Sequence, residues 1–120
     1  MAKVILIVDD DPKSLKLARD LLQVSGYTTI EATDGKQGVK LAKAKKPDLI
    51  LMDIMMPNMD GYTACRAIKT DRATAGIPVI MLSALGYELN KELGNSMGAA
   101  GYITKPFNPQ ELLDTIGKFS

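Results

Sequence analysis

The most constraining feature of the sequence is a series of five short apolar runs separated by longer amphipathic stretches. The first run, Val4–Val8, is rich in β-branched residues and shows no alternation of polar and apolar positions. Such a continuous run is typical of a strand that is covered on both faces, as in parallel sheets with helices on each side. The other runs that predict strands are Thr28–Ala32, Leu49–Asp53, residues 78–82 and residues 101–103.

The stretches between these runs carry helix signals. Asp11 is an N-cap residue followed by proline at the first helical position, and Asp34 and Asp60, each followed by glycine, mark two further helix starts. Two more helices are predicted at residues 87–97, although Gly94 weakens this helix by about 1 kcal/mol relative to alanine, and at residues 110–119. The alternation predicts an α/β fold with one doubly wound, five-stranded parallel sheet flanked by five helices; an eight-stranded barrel would need more chain.

Composition narrows the possible class of protein. The 120 residues, 46% of them hydrophobic, predict a single domain over residues 1–120. The 15 basic and 14 acidic residues give a net charge of +1, which indicates neither nucleic acid nor a membrane as a partner. Cys65 is the only cysteine and cannot form an internal disulfide, and the N-terminal apolar run is too short for a signal peptide. We therefore expect a cytoplasmic protein.

Polar residues stand at the carboxyl ends of four predicted strands: Asp9 and Asp10 at the first, Asp53 at the third, Ser83 after the fourth and Lys105 after the fifth. A carboxylate such as Asp53 is costly among buried apolar side chains unless it is compensated. In an open parallel sheet, the working cleft lies beyond the carboxyl ends of the strands. We therefore expect these groups to converge on one cleft, with Asp53 pointing into it and not into the core.

The chemistry of this set suggests phosphoryl transfer. Three carboxylates in one cleft repel one another, so without a cation at least one of them should have a raised pKa. Oxygen ligands of this kind suit Mg²⁺. Lys105 adds a fixed positive charge and Ser83 a hydroxyl donor, and together these groups could stabilise a phosphoryl group. Taken singly, each residue is explained as a turn or loop position; their joint placement favours a site.

The chain resembles the receiver domains of response regulators in two-component signalling over essentially its full length. The resemblance rests on four segments in the same order and spacing, ILIVDDDP, PDLILMDIMMPNMDG, IPVIMLSA and GYITKPF. It implies a flavodoxin-like, CheY-like fold and a phosphorylation-switched module that catalyses only its own phosphorylation and dephosphorylation. It further implies Mg²⁺ as cofactor, a sensor histidine kinase or histidine phosphotransfer protein as phosphodonor, and an unknown downstream protein or output domain.

The resemblance also implies a role for each residue of the site. The metal would be bound by Asp10 directly, by Asp9 mainly through a metal-bound water, by the acceptor Asp53 and by the backbone carbonyl of Met55. The phosphoryl oxygens on Asp53 would be contacted by Ser83 and Lys105. Tyr102 would be the aromatic switch residue, turning inward when Ser83 moves towards the phosphoryl group. The peptide bond before Pro106 would be cis, which X-Pro chemistry permits.

Three alternatives compete with this interpretation. A Mg²⁺-dependent phosphohydrolase of the haloacid-dehalogenase type needs a second aspartate two residues after the nucleophile, where this chain has Met55. A flavodoxin-like FMN carrier is disfavoured because the carboxylates at residues 9–11 would repel the FMN phosphate. A pseudo-receiver that binds partners without phosphorylation is disfavoured because the whole acceptor set is present.

The resemblance further predicts a long-lived phosphorylated state. In receiver domains, the positions two after the acceptor and two after the serine or threonine flank the path of the hydrolytic water. Here they are Met55 and Leu85, which are apolar and cannot orient that water.

Overall fold

The computed structural model describes residues 3–83 and 91–119. Strands β1 to β5 of this part of the chain span Val4–Val8, Thr28–Ala32, Leu49–Asp53, Val79–Ser83 and Gly101–Thr104. Helices α1 to α5 span Pro12–Val24, Gly35–Lys45, Gly61–Thr70, Lys91–Ser96 and Pro109–Phe119. The strands and helices alternate along the chain, so the predicted fold class is confirmed. The longest helix has 13 residues, and no helix in the described ranges is long and apolar enough to cross a membrane.

Most differences from the predicted boundaries are one residue. The fourth strand begins after Pro78, because proline has no N–H to donate to a neighbouring strand. The carbonyl of Pro78 still accepts a hydrogen bond from the N–H of Ile50, with 3.0 Å between oxygen and nitrogen. The same strand includes Ser83, which was expected to follow it, and β5 includes Thr104, the partner of Ser83 in the register. The helix predicted at residues 87–97 is present over Lys91–Ser96 and ends one residue early, while residues 87–90 lie outside the described part of the chain.

The five strands form one parallel sheet with the order β2-β1-β3-β4-β5. The order reverses between β1 and β3, because the chain passes from the outer strand β2 back across β1. In the register of these two strands, Val8 pairs with Met52, so the residues that follow them, Asp9 and Asp53, stand side by side. Ligand sites of open α/β sheets lie at this kind of switch point.

The sheet separates two apolar layers. One layer contains the buried positions of α1 and α5, represented by Leu22 and Ile116, which pack with alternate residues of the central strands. The other contains the buried positions of α2 and α3, represented by Ala42 and Ile68, with Met97 after α4 packed against it. Helices therefore cover both faces of the sheet, and β1, β3 and β4 are buried almost throughout.

Aspartates fix the starts of three helices, as the sequence predicts. The side chains of Asp11, Asp34 and Asp60 accept hydrogen bonds from backbone N–H groups two or three residues further on. Each cap of this kind typically contributes about 1 kcal/mol. Because these caps lie directly after β1, β2 and the loop after β3, they also fix the chain at the edge of the sheet where the polar residues gather.

Candidate functional site

Three carboxylates meet at the carboxyl ends of β1 and β3. Oxygen atoms of Asp9, Asp10 and Asp53, one from each residue, lie within 4.8 Å of one another. Asp9 is completely buried and Asp53 is 4% exposed, whereas Asp10 is exposed. The structure thus brings together the three aspartates that the sequence predicts, with Asp10 as the member most open to solvent.

Lys105 is the cation of this site. It follows β5, and its Nζ lies 2.8 Å from Asp9 Oδ2 and 3.4 Å from Asp53 Oδ2. Burial alone would lower the pKa of Lys105, but its hydrogen bonds and ion pairs with the two carboxylates outweigh burial and raise it. The lysine is therefore charged at neutral pH and lies beside the predicted acceptor. The peptide bond between Lys105 and Pro106 is cis, as expected.

The predicted carboxylate repulsion is present at Asp53. Burial, and after it the negative charge of Asp9, raise the pKa of Asp53 from 3.8 to about 7, against the opposing effect of Lys105. One lysine therefore does not neutralise the cluster. Added positive charge beside these oxygens would lower the pKa of Asp53 and favour its ionised, nucleophilic form.

This pKa shift predicts a pH dependence of stability in metal-free buffer. Because Asp53 holds its proton more tightly when folded, the folded state binds more protons between about pH 4 and pH 7, and the free energy of unfolding falls as pH rises through this range, by up to about 4 kcal/mol. Asp53→Asn should remove this contribution. Thermal melts in EDTA should show the Tm of the variant rising relative to that of the wild type between about pH 4 and pH 7; a constant difference in Tm would contradict the shift.

Ser83 is the last residue of β4 and is 4% exposed. Its carbonyl accepts a hydrogen bond from the backbone N–H of Lys105, with 2.7 Å between oxygen and nitrogen. Ser83 therefore lies at the same sheet edge as the carboxylates, and its backbone is tied to the lysine.

Tyr102 lies away from the carboxylate cluster, against α4. Its hydroxyl donates a hydrogen bond to Asn95 Oδ1 at 2.7 Å. A Cβ added at Gly94 would lie 2.5 Å from Tyr102 Oη and 2.9 Å from its Cε1. The ring therefore packs on bare helix backbone, and Gly94 has a packing role that helix propensity did not reveal. A glycine inside a helical stretch was the available signal for this close approach.

Gly61 is a second residue that the sequence analysis missed. Its N–H donates to the carbonyl of Ile54 at 2.7 Å, which closes the loop between β3 and α3. A Cβ at this position would collide with the carbonyl oxygen of Asp53 and would lie 2.8 Å from the Cα of Ile54. The sequence indicated Gly61 only as a helix start, but it holds the loop that follows Asp53.

Met55 is 59% exposed and lines a cavity of about 550 Å³ together with Asp10. The side chain thus flanks the exposed aspartate of the cluster. The metal contact of the Met55 carbonyl stays a prediction. Leu85, the other residue of the predicted lifetime effect, lies outside the described residues.

Comparison with known proteins agrees with this geometry. The family model described as the response regulator receiver domain matches residues 5–117. The DNA-binding dual master transcriptional regulator RpaA of Synechocystis is 46% identical over 91% of this chain and 45% of its own length. Protein PilH of Pseudomonas aeruginosa is 41% identical over 93% of both chains. The chain thus spans about half the length of the transcriptional regulators among these relatives and nearly all of PilH.

Solved structures show the same fold. The chemotaxis protein CheY4 of Vibrio cholerae superposes with a TM-score of 0.93 at 30% identity and full coverage of both chains. The receiver domain of a sensor histidine kinase from Pseudomonas aeruginosa, solved with a magnesium ion coordinated in the active site cleft, superposes with a TM-score of 0.91 at 31% identity, covering 99% of this chain and 98% of that one. The chain belongs to the response regulator receiver domain family, whose members act in phosphorylation-switched two-component signalling.

Proposed function

We propose that Asp53 is the phosphoacceptor of this receiver domain and takes the phosphoryl group from a phosphohistidine of a sensor histidine kinase or histidine phosphotransfer protein. The observation that supports this assignment is the meeting of three carboxylates within 4.8 Å beside the Nζ of Lys105. These 120 residues contain no histidine, so the phosphohistidine that donates the group does not lie within them. Such a donor and a chain without a disulfide fit a cytoplasmic location, which we propose as well.

The chemistry follows from the positions of the side chains. A carboxylate oxygen of Asp53 attacks phosphorus, an O–P bond forms, and the N–P bond to the donor imidazole breaks. Lys105 is close enough to Asp53 to pair with the phosphoryl oxygens, and Ser83 lies at the same edge to donate its hydroxyl. The acyl phosphate is later hydrolysed, so the domain turns over only its own modification.

The donor set fits Mg²⁺. Three carboxylates offer the hard oxygen ligands that this ion prefers, and the exposed Asp10 leaves room for the waters it usually keeps. The raised pKa of Asp53 is a second sign that the cluster lacks positive charge. When bound, the ion would supply charge stabilisation to the carboxylates and to the transferring phosphoryl group. Asp9, Asp10, Asp53 and the carbonyl of Met55 are the groups that would hold it.

The switch would act through Tyr102. Phosphorylation adds charge at the edge formed by Ser83 and Lys105, and movement of Ser83 would give the ring of Tyr102 space to turn inward. That turn would break the hydrogen bond to Asn95 and uncover the backbone at Gly94. The surface of α4, β5 and α5 would repack, and the affinity for a downstream protein or output domain would change.

Incubation with acetyl phosphate and Mg²⁺ tests the assignment. Intact-mass measurement should show the addition of one phosphoryl group, and EDTA should prevent it. The modified peptide should contain Asp53. Addition of the group elsewhere, or binding of partners that is indifferent to beryllofluoride and Mg²⁺, would instead support a pseudo-receiver.

Removal of the exposed ligand gives a further prediction. Asp10→Ala should weaken Mg²⁺ binding by about tenfold or more and slow phosphorylation, because it deletes a direct ligand. It should also raise the melting temperature of the metal-free protein by relieving carboxylate repulsion. Titration of Mg²⁺ followed by tyrosine fluorescence or NMR measures the first effect. Asp34→Ala, which removes the carboxylate that caps α2 and leaves the three-carboxylate cluster unchanged, is the control. Equal Mg²⁺ affinity in wild type and Asp10→Ala would exclude Asp10 as a ligand.

A further inference from the structure

The net charge of +1 conceals an uneven distribution. The solvent side of α2 and α3, with the turns that end them, carries seven exposed cations, and we call it the basic face: Lys36, Lys40, Lys43, Lys45, Lys46, Arg66 and Arg72. The two helices pack side by side. Residues 35–46 and 61–72 contain one acidic residue, Asp71, whose Oδ2 lies 3.4 Å from the Nζ of Lys43. Two further carboxylates, the N-cap residues Asp34 and Asp60, stand at the starts of the helices, so the seven cations still outnumber the acidic groups.

Helix stability does not account for these cations. Lys43 and Lys45 lie in the last turn of α2, where positive charge favours the helix dipole. Lys36 lies in the first turn, where positive charge is unfavourable, and it repels Lys40 one turn later. The helix has no acidic side chain that could pair with either lysine. These two lysines thus weaken the helix that carries them, so their explanation must lie outside it.

The basic face is charged and lacks large exposed apolar side chains, which indicates the kind of molecule that it could bind. The large apolar side chains exposed in the described residues lie on α1, on the loop after β3 and on α5, and none lies on α2 or α3. Protein interfaces usually have an apolar centre and few lysines, whereas interfaces with nucleic acid are polar and strongly positive. Stable attachment to a membrane usually combines basic groups with inserted apolar side chains, and this face offers no large exposed apolar side chain.

The absence of exposed aromatic residues on α2 and α3 favours double-stranded over single-stranded nucleic acid as the partner. Proteins that hold single strands stack the bases on exposed aromatic rings. Tyr62 is the only aromatic residue of α2 and α3, and it is buried. Lysine and arginine side chains bind the phosphates of a duplex directly and need no aromatic residue to do so.

We propose that the basic face binds the phosphate backbone of duplex nucleic acid without regard to sequence. Lys36, Lys40 and Lys43 form a stripe about 10 Å long on α2. Arg66 on the adjoining helix α3 and Arg72 just beyond its end add further positive charge. A duplex presents one negative charge per about 1.7 Å of its axis, so a stripe of this length meets several phosphates. The balanced composition concealed this property because most of the 14 acidic residues lie on other parts of the chain, three of them at the carboxylate cluster.

Fluorescence anisotropy with a short labelled DNA duplex of arbitrary sequence tests the proposal. The wild type should bind with a Kd of about 10⁻⁴ to 10⁻⁶ M, and log K should fall linearly with log salt between about 50 and 200 mM. The double variant Lys36→Gln, Lys40→Gln loses two phosphate contacts, so the slope should become shallower by about 2. The matched control Lys16→Gln, Lys118→Gln removes the same charge from α1 and α5, in the other layer, and should keep the wild-type slope.

Three results would overturn the proposal. The wild type could show no salt-dependent binding, both double variants could lose the same affinity, or the chain could bind anionic vesicles or poly-glutamate more tightly than the duplex. Labelling by acetyl phosphate, measured on the same variants, reports on the acidic cluster alone. The outcome for the basic face is therefore separate from the outcome for Asp53.

Discussion

Replacing Asp53 by asparagine is expected to abolish phosphorylation by acetyl phosphate and to leave the fold intact. The amide has nearly the shape of the carboxylate but is a far weaker nucleophile and a poorer metal ligand. It also removes a charge that is costly where it stands, because burial, and after it the negative charge of Asp9, raise the pKa of Asp53 to about 7. The variant should therefore melt at a higher temperature than the wild type in EDTA at neutral pH.

The matched control for this variant is Asp34→Asn. Asp34 caps α2, and asparagine is an equally good N-cap residue, so this variant should fold and be labelled at the wild-type rate. Labelling is followed by intact mass and by its sensitivity to hydroxylamine, which marks an acyl phosphate. If Asp53→Asn acquires hydroxylamine-sensitive label at the normal rate, another residue is the acceptor.

Much of the fold could be predicted from the sequence because its signals are local. Burial of β1 and β3 on both faces appears as continuous apolar runs, and helix starts appear as single aspartates such as Asp11 and Asp60. The candidate site followed from one rule, that the carboxyl ends of parallel strands share an edge. Asp9 and Asp53, 44 positions apart, were placed together in this way, and the structure brings them together.

The same rule placed Lys105 in this cleft, but it did not predict which side chains contact one another. The pairing of Lys105 with Asp9 at 2.8 Å spans 96 positions and depends on how the loop after β5 folds back. The packing of Tyr102 on Gly94 depends on the distance between a strand and a helix, which no periodicity reports. Surface charge is a similar case, because a net charge of +1 carries no information on where the lysines of α2 lie.

Replacing Gly61 by alanine is expected to destabilise the protein strongly. A methyl group at this position would collide with the carbonyl oxygen of Asp53 and approach two further backbone atoms, Ile54 Cα at 2.8 Å and Asp53 C at 2.9 Å. Backbone cannot turn aside as the end of a side chain can, so α3 must move or the end of β3 must distort. We expect Gly61→Ala to lower the free energy of unfolding by about 3 kcal/mol and to slow labelling of Asp53, measured by urea unfolding and by intact mass.

The same substitution at Gly117 is expected to stabilise the protein. It lies exposed in α5, and a Cβ there would meet no heavy atom within 4 Å. Alanine is the better helix former, so Gly117→Ala should raise the free energy of unfolding by about 0.5 to 1 kcal/mol without changing the labelling rate. Opposite signs for the two variants would show that close approach of α3 to the end of β3, and not helix propensity, selects glycine at position 61. If Gly61→Ala is as stable as Gly117→Ala and is labelled normally, the loop after Asp53 is free to relax and Gly61 does not hold Asp53 in place.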